Sequence, residues 1–249
     1  MGEDIAELLK VEKKLRHRLV IEQAIATCSR LLVGPGEADL GEMLEIMGKA
    51  VGAHSAYISE KRSQGKKFDT TYEWCDAETE SKLNYYRILD LVQCLWLAEQ
   101  VSRGESIIIN NTDDIPCAAS AEKEILRLIN ARAMLIVPIY DSLQNVKGSI
   151  EFVDRQGPRQ WQEADIHCLQ VVAEMVGLYW ERREVVKQLK ESEERFRLLA
   201  DTTPALTFVS KDPDQPLAYV NAAFESLTGL NRAVCISMNY LDLVHPDYR

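Results

Sequence analysis

Two apolar runs, Ala133–Asp141 and Val146–Asp154, stand either side of the polar turn Ser142-Leu143-Gln144-Asn145. Runs of this length are too short to cross a bilayer. Bounded by turn residues and rich in Ile and Val, they predict two paired strands at the centre of a sheet. From Gln162 a helical pattern follows without a breaker to about Ala200. A buried hairpin followed by a long amphipathic helix demands a layered fold, because each must cover its apolar face with something else.

Upstream the period changes twice. Residues 3–33 read as one long helix, with Leu8, Leu15, Leu19, Ile25 and Leu32 at helical spacing. Gly34-Pro35-Gly36 stops it. Asp39, with Glu42 three residues on, predicts the start of a second helix carrying Leu40, Met43, Leu44, Met47 and Val51. His54–Glu60 and Phe68–Cys75 alternate as strands do, joined by a hairpin turn at Arg62–Lys66. Helical spacing returns over Leu83–Arg103. Ser106–Asn110 reads as a short strand, Asn111–Ser120 as a polar loop and Ala121–Asn130 as a helix. The order α-α-β-β-α-β-α-β-β-α predicts an α+β fold, a sheet of about five or six strands with helices on both faces.

Composition narrows the function classes. Hydrophobic residues make up 46% and charged residues 27%, enough for an ordinary core and against extended disorder. The net charge of -10 argues against nucleic acid or an anionic membrane as partner, since both select basic patches. Met1–Lys10 is acidic and lacks the pattern of an export signal. Six scattered cysteines, with no CxxC pair, then read as reduced thiols in a cytoplasmic protein. His17, His54, His167 and His245 offer no metal-ligand spacing.

The stretch Ala131–Arg183 carries a family resemblance. It reads Ala-Arg-Ala-Met-Leu-Ile-Val-Pro-Ile-Tyr, a turn, and Val-Lys-Gly-Ser-Ile-Glu-Phe-Val-Asp, then Trp161, Glu163, Asp165 and the long helix. This resembles the C-terminal half of GAF domains. Tyr72-Glu73-Trp74-Cys75 and Trp96 look like a bacterial sensor subgroup of that family. The resemblance spans about residues 20–184, with residues 1–19 as an N-terminal helix and 185–200 as a helical linker. A second resemblance begins at Glu191-Ser192-Glu193-Glu194-Arg195-Phe196. It continues through Tyr219-Val220-Asn221-Ala222-Ala223-Phe224, Leu227-Thr228-Gly229-Leu230 and Leu243-Val244-His245-Pro246-Asp247. It is similar to the opening of a PAS domain, over residues 201–249. PAS domains continue with three more strands, so the resemblance implies a truncated segment of a longer protein, with open strand edges.

The GAF resemblance implies a small-molecule pocket on one face of the sheet and dimerising helices on the other. It points to Tyr57, Trp74, Trp96, Asn110, Asp113 and Glu151 as pocket residues. The aromatics also fit plain core packing. Glu151, between Ile150 and Phe152, fits a pocket, a buried ion pair or a solvated position. No cofactor is named by the resemblance. The cyclic-nucleotide constellation of the family cannot be assembled here. Cys117 is followed by Ala118, unlike the Cys-His of covalent bilin sites. Cys235 lies outside the Asn-Cys-Arg context of flavin sensors, and His245 belongs to a structural His-Pro-Asp landmark rather than a haem site.

Three functions remain open. In the first, the chain senses a small molecule and relays the signal to an output domain of the histidine kinase or diguanylate cyclase type. Neither signature lies in this chain, so it is expected to be non-catalytic. In the second, Cys94 and Cys117 serve a GAF-fold methionine sulfoxide reductase. In the third, the chain only dimerises and relays. Met175, Leu178, Val185, Leu189, Phe196 and Leu199 recur at 3/4 spacing, interrupted by Arg182 and Ser192, as in a short coiled-coil seam of a parallel homodimer.

Overall fold

The computed structural model describes residues 2–34, 36–61, 68–81, 95–212, 215–239, 241 and 247. The expected turn at Arg62–Lys66, the helical segment before Leu95, Cys94 and His245 lie outside the described residues. The chain divides into two units, Met1–Arg182 and Arg183–Arg249. Among the described residues, no helix is long and apolar enough to cross a membrane.

In the first unit the long N-terminal helix, α1, spans Gly2–Val33. Its expected apolar stripe divides in two. Leu8, Leu15 and Leu19 are exposed, whereas Ile21, Ala24, Cys28 and Leu32 form one buried face. That face packs on α2, Leu40–Val51, which buries Met43, Leu44 and Met47. The α2 helix starts where the sequence predicts, because the Asp39 carboxylate accepts the Glu42 N–H at 3.0 Å. It stops at Gly52, which takes the left-handed conformation at φ 72° that closes a helix C-terminus.

Five strands form one antiparallel sheet in the order β2-β1-β5-β4-β3. They are β1 Ser55–Lys61, β2 Phe68–Cys75, β3 Ile107–Ile109, β4 Ala133–Tyr140 and β5 Val146–Asp154. The two apolar runs are β4 and β5, paired with each other and inside the sheet. Side chains alternate between faces. Ala56, Ile58, Leu135, Val137, Ile150 and Phe152 join the core beneath α1, α2 and the exit helix. Tyr57, Met134, Ile136 and Val153 join a second core on the other face. That face is covered by α3, Leu95–Arg103, and α4, Ser120–Leu128.

The exit helix, α5, spans Glu163–Thr202. Cys168, Leu169, Val172, Ala173, Val176 and Tyr179 bury its inner face. At Gly177 it comes close to the sheet, since a side chain there would run into the Tyr140 carbonyl oxygen. Gly177→Ala therefore sets a helix-propensity gain of about 1 kcal/mol against overpacking of up to about 3 kcal/mol onto rigid backbone. The expected outcome in urea denaturation is a net loss of about 1–2 kcal/mol. A gain would show that α5 can slide along β4. Trp180, about one turn further along the helix, rests against Gly148, and its indole N–H is buried with no acceptor among the described residues.

The connection into α5 ties three elements to one arginine. Arg159 donates to the Val51 and Gly52 carbonyls at 2.7 and 2.9 Å, and so holds the C-terminus of α2. Its guanidinium also lies 3.4 Å from Asp165 and 3.6 Å from Asp154, and 4.3 Å over the Trp161 ring. Asp165, fully buried, accepts from the Gln162 N–H and pairs with His17 of α1 at 2.7 Å.

The second unit holds the two-stranded sheet β6 Phe208–Val209 and β7 Tyr219–Val220, then α6 Ala222–Thr228 and α7 Arg232–Cys235. Leu217, Val220, Phe224 and Cys235 form its small core. Asn221 organises it. Its amide donates to the Ala200, Thr203 and Ala205 carbonyls, while its side-chain oxygen accepts from Thr207 and Phe224.

Candidate functional site

On β5 the alternation puts Ser149, Glu151 and Val153 on the face turned away from α5. Glu151 stands opposite Tyr57 on β1 and Ile136 on β4. Above it lie Leu97, Ala98 and Val101 of α3 and Ile125 and Leu126 of α4, followed by Ile129. Together with Ser59, Phe68, Thr70 and Met134 they line a cavity of about 70 Å³. Its walls are almost entirely apolar, and its polar groups are Glu151 and the hydroxyls of Ser59, Thr70 and Ser149. This is the usual composition of a small-molecule site.

Glu151 is buried, 8% exposed, so its charge is costly. Burial pushes its carboxyl up to about 7 from an ordinary 4.5, against the smaller opposing pull of hydrogen bonds from Ser149 and Ser59. The Ser149 hydroxyl donates to it at 3.1 Å, and the Ser59 and Thr70 hydroxyls lie 3.1 Å apart. Among the described residues no Lys, Arg or His pairs with this carboxyl. Of the three positions open to Glu151 on sequence, the structure shows the wall of a cavity, with no ion pair among the described residues.

The other expected pocket residues disperse. Tyr57 is fully buried on the cavity side, but its hydroxyl accepts from Arg155 at 2.6 Å. Burial pushes its phenol up, opposed by the Arg155 guanidinium. Trp96 packs at the edge of the same core, and its backbone N–H donates to the buried Glu122 carboxylate at 2.7 Å, joining α3 to α4. Trp74 lies on the opposite face, over Gly48 of α2. The reason is a register shift in the β1–β2 ladder: Ile58 faces Tyr72 but Ser59 faces Thr70. The extra residue, Thr71, reverses the faces of everything beyond it. Phe68 and Thr70 reach the cavity and Trp74 cannot.

Asn110 and Asp113 also stand apart from the cavity wall. The Asn110 side chain accepts from the Trp161 N–H at 3.3 Å, and its carbonyl accepts from the Arg159 N–H at 2.9 Å. It fastens the end of β3 to the connection into α5. Asp113 is exposed, in a short turn whose Asn111 side chain accepts its N–H at 3.0 Å, and it lies 3.8 Å from Arg127. The hydroxyls of Ser59, Thr70 and Ser149 were not among the expected residues. The shared parity of Ser149 and Glu151 on β5 was the signal that pointed to one of them.

Among the described residues, no group of three or more His, Cys, Asp or Glu could hold a metal. Burial pushes the Cys28 and Cys75 thiols up to about 12, which suppresses thiolate chemistry at both. The thiols of Cys94 and Cys117 lie outside the described residues.

The geometry has counterparts among known proteins. The family model of the GAF domain matches residues 37–180, and that of the PAS fold matches residues 194–249. The methanogenesis regulatory histidine kinase FilI of Methanothrix harundinacea (strain 6Ac) is 28% identical over 184 residues. That match covers 71% of this chain and 20% of the kinase, so the chain corresponds to about a fifth of its relative. The photoproduct state of GAF3 from Slr1393 of Synechocystis sp. PCC6803 superposes with a TM-score of 0.52 at 16% identity, covering 59% of this chain and 93% of that one. The nlh2 GAF domain of A. aeolicus, in an inactive state, gives a TM-score of 0.50 at 17% identity, covering 67% and 99%. Likeness at these identities concerns the fold. GAF and PAS are both sensory domains, and with its family model matched across more than half its length, this chain belongs to the GAF domain family, its GAF domain followed by a PAS fold.

Proposed function

We propose that this chain is the sensory part of a cytoplasmic signalling protein. A small molecule held in the cavity beneath α3 and α4 shifts a parallel dimer of α5, and the change passes through the PAS fold to an output domain. The observation that carries the reading is the succession of a GAF domain and a PAS fold in one chain whose relative is a histidine kinase. An output domain of the histidine kinase or diguanylate cyclase type suits that succession. The cavity supports the sensing half of the proposal.

The surface of α5 supports the relay half. Its buried face ends at Tyr179, yet Leu178, Val185 and Leu189 are 64%, 60% and 68% exposed. They fall at heptad spacing with Phe196, which is 47% exposed and meets the Tyr219 ring edge-on at 5.5 Å. A second copy packed along this seam would bury them, with Arg182 and Ser192 as polar breaks. Polar breaks weaken a seam and bring alternative registers within a few kcal/mol, which a ligand can bias.

Sedimentation equilibrium tests the dimer. Leu189→Asp places a carboxylate in the seam twice, once per copy. Loss of about 2 kcal/mol of apolar burial per copy, about 4 kcal/mol per dimer, weakens association on the order of 1000-fold. A wild-type chain that stays monomeric at several hundred micromolar removes the basis of the relay.

A further inference from the structure

We propose that the cavity beneath α3 and α4 takes a small primary aliphatic amine, bound as its ammonium ion with the charge on Glu151 and the alkyl body against Ile125, Met134 and Ile136. The inference rests on the reading of that cavity as the sensory site and names the ligand's chemical class.

Size sets the first limit. An apolar cavity of about 150 Å³ holds the six heavy atoms of benzene, so in proportion the 70 Å³ here suits a body of about three heavy atoms. Nucleotides and tetrapyrroles are far larger. Charge sets the second. Glu151 is a buried carboxyl with no cationic partner among the described residues, in a space lined by hydrocarbon. A cationic ligand supplies what the protein leaves out. A carboxylic acid would bring a second like charge, and an alcohol would leave the carboxylate uncompensated. Hydrogen bonding sets the third. A primary ammonium has three N–H donors in a compact head. Among the described residues, the cavity offers the carboxylate and the hydroxyl oxygens of Ser59, Thr70 and Ser149 as acceptors, and no other polar side chain. A quaternary ammonium would leave those oxygens without donors.

Binding is coupled to a proton. Where Glu151 is protonated in the free protein, arrival of the ammonium expels that proton to solvent and leaves a carboxylate–ammonium pair. Two other buried titratable groups on the elements around Glu151 are engaged elsewhere. Tyr57 of β1 accepts from Arg155, and Glu122 of α4 accepts from the Trp96 N–H. The cavity-lining residues of α3, β2 and β4 carry no titratable side chain.

The test uses the full chain and four probes: ethylammonium, ethanol, formate and xenon. Methyl resonances of Met134 and Ile136 report occupancy. Ethylammonium is expected to shift both saturably and to bind roughly 30-fold more tightly than ethanol, as removal of one partner of a buried charge pair implies. Glu151→Gln should abolish that preference while ethanol and xenon still bind. Ala98→Leu, which fills the space from α3, should silence all the probes. If ethanol or formate binds as well as the amine, or Glu151→Gln keeps the amine's full affinity, the amine assignment fails and the cavity remains a ligand site. If no probe, xenon included, moves the methyl resonances, the cavity is not a site and both readings fail. A response that survives Ala98→Leu places binding elsewhere and overturns the proposal.

Discussion

Arg159→Ala is expected to lower the stability of the unit Met1–Arg182 by about 3–4 kcal/mol, the largest loss of any single substitution considered for this chain. The guanidinium is 18% exposed and Asp165 is fully buried, so solvent cannot replace the lost charge. Removal strands the Asp165 carboxylate with His17 and one backbone N–H. It also takes the donor from the Val51 and Gly52 carbonyls at the end of α2. Urea denaturation followed by tryptophan fluorescence measures the effect. Asp165→Asn in the Arg159→Ala background should recover part of the loss, because the stranded charge is then gone. A loss under about 1 kcal/mol would mean that the network behaves as an exposed one.

The second large effect depends on pH. The folded carboxyl of Glu151 titrates at about 7, above its ordinary 4.5, so the fold favours the protonated form. Its contribution is fully present below about 4.5 and is lost as pH rises through about 7. Wild-type stability should therefore fall from pH 5 to pH 8, by up to about 3 kcal/mol from this group alone. Glu151→Gln carries no such proton and should flatten that fall, remaining as stable at pH 8 as at pH 5 apart from the rest of the titration. Urea midpoints at half-unit pH intervals decide it. Parallel curves for wild type and variant would show that Glu151 is ionised and solvated throughout.

Much of the first unit was legible in the residues. Asp39 and Gly52 bound α2 because capping is local chemistry, decided within one helical turn. The strand β4 runs over Ala133–Tyr140, within one residue of the run that predicts it, since a buried strand shows itself as uninterrupted hydrocarbon. The candidate site was legible only where parity held. Glu151 is on the cavity face because β5 alternates regularly. Trp74 is on the other face because one extra residue in β2 reversed the count, and nothing in Thr71 advertises a bulge. Ser59 and Thr70 carry the small polar side chains of any solvent-facing strand position, so only tertiary placement reveals them. The Arg159 network was hidden for a different reason. His17 and Asp165 are 148 residues apart, and charge pairing at such separation leaves no periodic trace.

The two faces of β5 are stitched into one polymer. Glu151 forms the cavity wall, while Ile150 and Phe152, its covalent neighbours, belong to the core beneath α5. The shortest route from the cavity to the exit helix is a single peptide bond, followed by one layer of packed side chains. A close-packed interior has no slack to absorb a displaced strand on one side alone. The proposed transmission across this domain would therefore need no chain of intermediaries. It requires only that β5 move as a stiff lever, with its fulcrum set by the strands hydrogen-bonded on either side.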